Sequence, residues 1–168
     1  MGGGYRTEIY DFDPTLHKGY VGEEVRLDLL ENTRLDGHKV IFFRKFRDVH
    51  IQYAPDDELS VSLNLMISDS SANNKPQFEF DIGNRKIANI INSAYTGKRA
   101  FFNLVNHLGN PSTLDMLQTI GTRNADPRVR AFAWDAAIGI GKDDSLLDRL
   151  LRSDDEIMRR ELVQLRAR

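Results

Sequence analysis

The chain has 168 residues, 40% hydrophobic and 29% charged, with a formal net charge of −2 and no cysteine. That length holds one full core or two small ones sharing an interface, and the composition excludes wholesale disorder. It also excludes disulfides, thiolate metal sites and cysteine nucleophiles, while the charge exerts no global pull toward nucleic acid or anionic membrane.

The first 23 residues read as an N-terminal extension. Met1-Gly2-Gly3-Gly4-Tyr5-Arg6 has no apolar stretch of the signal-peptide kind. Arg6 stands where a myristoylation signal carries Ser or Thr. No apolar run approaches the ~20 residues that span a bilayer, so a cytoplasmic location is expected.

Residues 24–96 read as a β domain. Val25, Leu27 and Leu29 alternate, and Asp36-Gly37 marks a turn before an apolar, aromatic stretch over 39–46. A short strand follows from His50 to Ala54, ended by Pro55-Asp56-Asp57. Residues 59–68 give the clearest signal: Leu59, Val61, Leu63, Leu65 and Ile67 share one face, with Ser60, Ser62, Asn64 and Ser68 on the other. Such alternation predicts a half-buried strand. Residues 68–76 are polar and predict a long loop. Phe78, Phe80 and Ile82 then alternate up to Gly83-Asn84, and a return strand over 85–91 completes a hairpin. Five or six short strands predict an antiparallel barrel or sandwich.

From Gly97 the period changes to helical. Ala100, Phe101, Leu104, Val105 and Leu108 fall on one face. Ser112 begins a second helix carrying Leu114, Leu117 and Ile120. Asp126 as N-cap and Pro127 at the first position begin a third, with Val129, Phe132, Ala133, Ala136, Ala137 and Ile140 as its buried face. Ser145 caps a fourth helix, and a last one begins near Asp154 or Asp155. The expectation is an α+β protein, with a helical region over 97–168 packed on the β domain or on another subunit.

Two resemblances follow from these residues. Residues 24–91 resemble a cupin-type β-barrel, like the ligand-binding barrels of arabinose-operon-type regulators. The segment His50-Ile51-Gln52-Tyr53-Ala54-Pro55-Asp56-Asp57 and the alternating strand after it carry the likeness. Metal-binding cupins place two histidines one residue apart, then an acidic residue, then a third histidine in a later strand. Gln52 occupies the second place here, and His107 lies in the helical half, so the resemblance implies no metal. No helix-turn-helix reader accompanies it. In the helical half, Ser112–Leu117 resembles Ser145–Leu150, and Asp126-Pro127-Arg128-Val129-Arg130 resembles a HEAT-type repeat. Only about two such units fit, and about three are needed for independent stability.

Candidate ligand-binding residues are Phe42, Arg44, Phe46, His50, Gln52, Tyr53, Phe78 and Phe80. The aromatics either line a barrel cavity or fill the core, and Arg44 reaches an anionic ligand or faces solvent. Candidate partner-binding residues are Arg128, Arg130, Trp134, Arg159 and Arg160; Trp134 either anchors an interface or sits at the junction of the halves. Neither a serine-nucleophile elbow nor a phosphate-binding glycine motif occurs. The reading is a non-enzymatic binding or regulatory protein. Its helices contact a protein partner or a second copy, the homodimer being the expected assembly, and its barrel holds a small apolar or anionic ligand, with no cofactor and no metal. The alternatives are a divergent cupin-like isomerase, cyclase or oxygenase with a site at 50–58, and nucleic-acid binding along the C-terminal arginines.

Overall fold

A computed structural model describes residues 4–37, 39–55, 59–67, 75–91 and 93–167. The histidine at 38, the acidic residues 56–58 and most of the 68–76 loop therefore lie outside the described residues. Among the described residues the fold is α+β: antiparallel strands in two small sheets, then five α-helices.

The first sheet has the order β2-β1-β3, with β1 (Tyr5–Asp11) central between β2 (Asp28–Leu35) and β3 (Asp48–Tyr53). Tyr5 pairs with Leu35 and Asp11 with Asp28, and a bulge interrupts this register between Ile9 and Tyr10. On the other side Arg6 pairs with Tyr53 and Asp11 with Asp48. Thr7 and Ile9 point into the protein. Arg6, Glu8 and Tyr10 point the other way, where Glu8 accepts hydrogen bonds from Tyr10 (2.8 Å), Tyr53 (3.1 Å) and Arg6 (2.6 Å). Residues 5–11 thus form the middle strand of a sheet.

The second sheet is the expected hairpin, β4 (Phe78–Asp81) with β5 (Lys86–Ile90), joined through Gly83-Asn84. Asp81 fixes the turn by accepting from the Asn84 backbone and side-chain amides. Residues 22–25 run beside β5: Val25 N–H donates to the Arg85 carbonyl at 2.8 Å and Ile87 N–H to the Glu23 carbonyl at 3.0 Å. Phe12, Val25, Leu27 and Ile87 form the β core, with Phe78 and Phe80 packed on it.

Among the described residues the two sheets do not close into a barrel, and two expected strands are missing from them. Residues 39–46 lead into a tight turn in which Asp48 accepts from the Arg44 backbone N–H at 2.6 Å and Phe46 takes a left-handed φ of 62°. A side chain with a Cβ adopts that conformation rarely, and in turns more readily than in a ladder. Residues 59–67 join no ladder among the described residues. They are tethered at Ser60, whose hydroxyl accepts from Gly4 N–H at 3.0 Å and whose carbonyl accepts from the Tyr5 hydroxyl. Their apolar face lies open, Leu63 being 98% exposed. Alternation gives a strand one apolar side, but the strand forms only if a partner edge is available.

The helices are α1 (Ser93–Leu108), α2 (Pro111–Arg123), α3 (Pro127–Gly141), α4 (Asp144–Leu150) and α5 (Glu156–Arg166). The starts of α2 to α5 are set by caps. Asn110 and Thr113 form a reciprocal capping box at α2. Asp126 precedes Pro127 at α3, and Asp143 and Asp155 cap α4 and α5. The caps at α2 and α4 fall two residues ahead of the serines that the sequence suggests, because Asn110 and Asp143 accept the orphan N–H groups instead. α3 is the central helix, packing on α1, α2 and α5. It buries Ala131, Phe132, Ala133, Trp134, Ala136, Ala137 and Ile138. No helix among the described residues is long and apolar enough to cross a membrane.

Candidate functional site

The candidate ligand residues of the β half do not line one cavity. Phe42 is 89% exposed. Arg44 is held by Asp48 at 2.6 Å and Asp11 at 2.7 Å. Burial alone would raise the Asp48 pKa, but hydrogen bonds from Arg44 hold it below the usual carboxylate value. Phe46 lies in the turn between the Lys45 and Lys75 ammonium groups. His50 is exposed on β3 and stacks on Phe43 with ring centroids 4.3 Å apart. Gln52 is exposed, and Tyr53 lies under the Arg6 guanidinium at 3.8 Å. Phe78 and Phe80 contact Phe12 edge-on and fill the core. Among the described residues no group of three His, Asp or Glu side chains is placed to hold a metal ion.

The helical arginines separate into different environments. Arg130 pairs with Asp155 and also donates to the Asn124 carbonyl at 2.5 Å. Trp134 is buried, facing Gly121. The Arg160 guanidinium lies 5.1 Å from the Tyr20 ring centroid, and the Arg159 Nε is buried without a partner among the described residues. Arg128 is only 5% exposed. It donates to the Gly19 carbonyl and lies 5.6 Å from the Tyr95 ring centroid. Gly19 makes that approach possible: its φ is +80°, and a Cβ there would meet the Phe78 ring at 2.7 Å.

Arg128 lines a half-enclosed cleft between the two halves. The cleft has a volume of about 290 Å³. Val21, Ile90 and Phe132 give it apolar walls, while Asn89, Tyr95, Thr96, Arg99, Arg128, Glu161 and Gln164 give it polar groups. The Tyr95 hydroxyl donates to Asp126 at 2.8 Å. Burial, and then that carboxylate, push the Tyr95 phenol up to about 12, with Arg128 opposing. A larger hollow of about 380 Å³, beside α2 and Trp134, is an open surface groove. Sequence reasoning selected Arg128 but not the cleft, whose walls come from β5, α1, α3, α5 and the loop before Val25.

The second feature is the outer face of α1. Tyr95 and Phe102 face the core, whereas Phe101 and Leu104 are each 55% exposed and Leu108 is 73% exposed. Their i, i+3, i+7 spacing makes one apolar stripe. That stripe coincides with the face that the periodicity marks as buried. No family model, curated protein or solved structure matches the chain.

Proposed function

We propose that the protein is a non-enzymatic binding protein that works through its helical half by associating with a second copy of itself. The observation that carries this reading is the exposed stripe Phe101, Leu104 and Leu108 on α1. Isolated exposed apolar residues are ordinary, but a continuous row on one helix marks a contact surface. In a HEAT-like stack each helical unit covers its neighbour; α1 is the first α-helix, and its outer stripe is left exposed among the described residues.

A second copy fits the charge as well as the shape. α1 carries Lys98 in its first half, one turn before Phe101, and no acidic residue. Antiparallel packing about a two-fold axis between Leu104 and Val105 sets Phe101 of one copy against Leu108 of the other. It also brings the basic first halves of the helices beside the negative dipole ends of their partners. Arg128 and Arg130 are engaged within the fold, which weakens the case for a nucleic-acid-binding arginine edge. The open sheets offer no barrel interior for a cupin-like active site.

Native mass spectrometry with light scattering on the full chain tests the reading. The wild type is expected as a dimer and Leu104→Glu as a monomer with an unchanged circular dichroism spectrum. A wild-type monomer, or a dimer that Leu104→Glu leaves intact, overturns it.

A further inference from the structure

The cleft between the halves has a property that self-association does not use. Arg128 carries a positively charged guanidinium, and its side chain is almost wholly inside the protein. Its guanidinium reaches the Gly19 carbonyl and the Tyr95 ring. Its Nε has no partner among the described residues, and no described carboxylate forms an ion pair with it. Asp126, two residues before it, accepts the Tyr95 hydroxyl and the Arg128 backbone N–H instead. A buried guanidinium without a carboxylate is costly, because desolvation is not offset by a counter-charge.

Arg99 lines the same cleft from α1. The other acid near it, Asp135, pairs with Arg166 at 3.2 Å. The cleft thus contains two guanidinium groups and one carboxylate, Glu161. That residual charge of one matches a monoanion better than a doubly charged phosphate. The apolar walls Val21, Ile90 and Phe132 suit a ligand with a hydrocarbon body, and the volume of about 290 Å³ suits a small one.

We propose that this cleft is a binding site for a small organic monocarboxylate, held at its carboxylate by Arg128 and Arg99 and along its body by Val21, Ile90 and Phe132. The planar fork of a guanidinium matches the two oxygens of a carboxylate. The site is separate from the α1 stripe: Thr96 and Arg99 face the cleft, while Phe101, Leu104 and Leu108 lie outside it.

The test is a titration of the full chain with phenylacetate and, in parallel, inorganic phosphate, read by calorimetry and by amide chemical shifts. Phenylacetate is expected to saturate and to shift the amides of Ile90, Thr96 and Phe132, with phosphate at least about tenfold weaker. Arg99→Gln is expected to weaken phenylacetate binding by about tenfold or more, the usual cost of one charged hydrogen bond. This variant is preferred to changes at Arg128, which also fastens the Gly19 loop. No saturable phenylacetate binding overturns the proposal. So does phosphate binding as tightly as phenylacetate, or Arg99→Gln binding phenylacetate like the wild type. Leu104→Glu, monomeric or not, is expected to bind phenylacetate unchanged, which separates this site from the dimer reading.

Discussion

The indole of Trp134 occupies the space that a side chain at Gly121 would need: a Cβ there would lie 2.5 Å from the ring. α2 and α3 approach this closely because one of them presents bare backbone. Gly121→Ala is expected to destabilise the protein despite the better helix propensity of alanine. Overpacking costs about 1–3 kcal/mol, against a propensity gain of about 1 kcal/mol. Gly97, also inside a helix, has nothing within 4 Å of its would-be Cβ. Gly97→Ala is therefore expected to raise stability by about 1 kcal/mol. Chemical denaturation of the two variants should move in opposite directions, and a Gly121→Ala variant as stable as the wild type would contradict the packing described.

Thr7 is fully buried on β1, and its hydroxyl has no partner among the described residues. An unsatisfied buried hydroxyl costs about 1–3 kcal/mol. Thr7→Val keeps the shape and removes that cost, so it is expected to hold or raise the thermal midpoint. Thr7→Ser keeps the hydroxyl and removes a methyl, so it should lower it. Calorimetry of both variants checks the order.

Asp155 has two tasks. One oxygen accepts from Met158 N–H at 3.1 Å and caps α5, and the other takes the Arg130 guanidinium, with Nε at 3.0 Å. Asp155→Ser keeps the cap and loses the ion pair; Asp155→Ala loses both. The difference between the two should approach about 1 kcal/mol, the usual worth of a cap. A double-mutant cycle with Arg130→Met isolates the ion pair, and a coupling of zero would show that the pair adds nothing.

The Tyr95 phenol, pushed from 10.0 up to about 12 chiefly by burial and then by Asp126, makes stability depend on alkaline pH. Below pH 10 the hydroxyl keeps its proton in both the folded and the unfolded chain, and the contribution is fully present. Between pH 10 and 12 the unfolded chain loses the proton first, so stability falls across that window. Tyr95→Phe is expected to be less stable at neutral pH but flatter between pH 10 and 12. Ultraviolet titration of the phenolate should show one tyrosine fewer ionising late. An equally steep loss in the variant would contradict the assignment.

α3 is legible in the sequence almost residue by residue, since Asp126-Pro127 fixes its start and its apolar face is unbroken. The β4–β5 hairpin is equally plain from Phe78, Phe80 and the Gly83-Asn84 turn. β1 is hidden because the inward positions include Thr7, a polar residue that breaks the apolar alternation. Leu63 and Leu104 show the opposite failure. Periodicity identifies a face, but what covers that face depends on neighbours far away in the chain. The cleft is illegible for a related reason. Val21, Tyr95, Arg128 and Glu161 belong to no common pattern, and only folding brings them together.

The short loop at Lys18, Gly19 and Tyr20 bears on the order of events in folding. Lys18 pairs with Glu156, 138 residues away, Gly19 receives Arg128 across 109, and Tyr20 lies under Arg160. Closing loops of that size is entropically costly and is recovered only once the distant partners are in place. These clasps therefore close late, after α3 and α5 have docked. The amide protons of this early stretch should owe their protection from exchange to helices that lie last in the chain, and losing α5 should loosen the loop while leaving the β4–β5 hairpin paired.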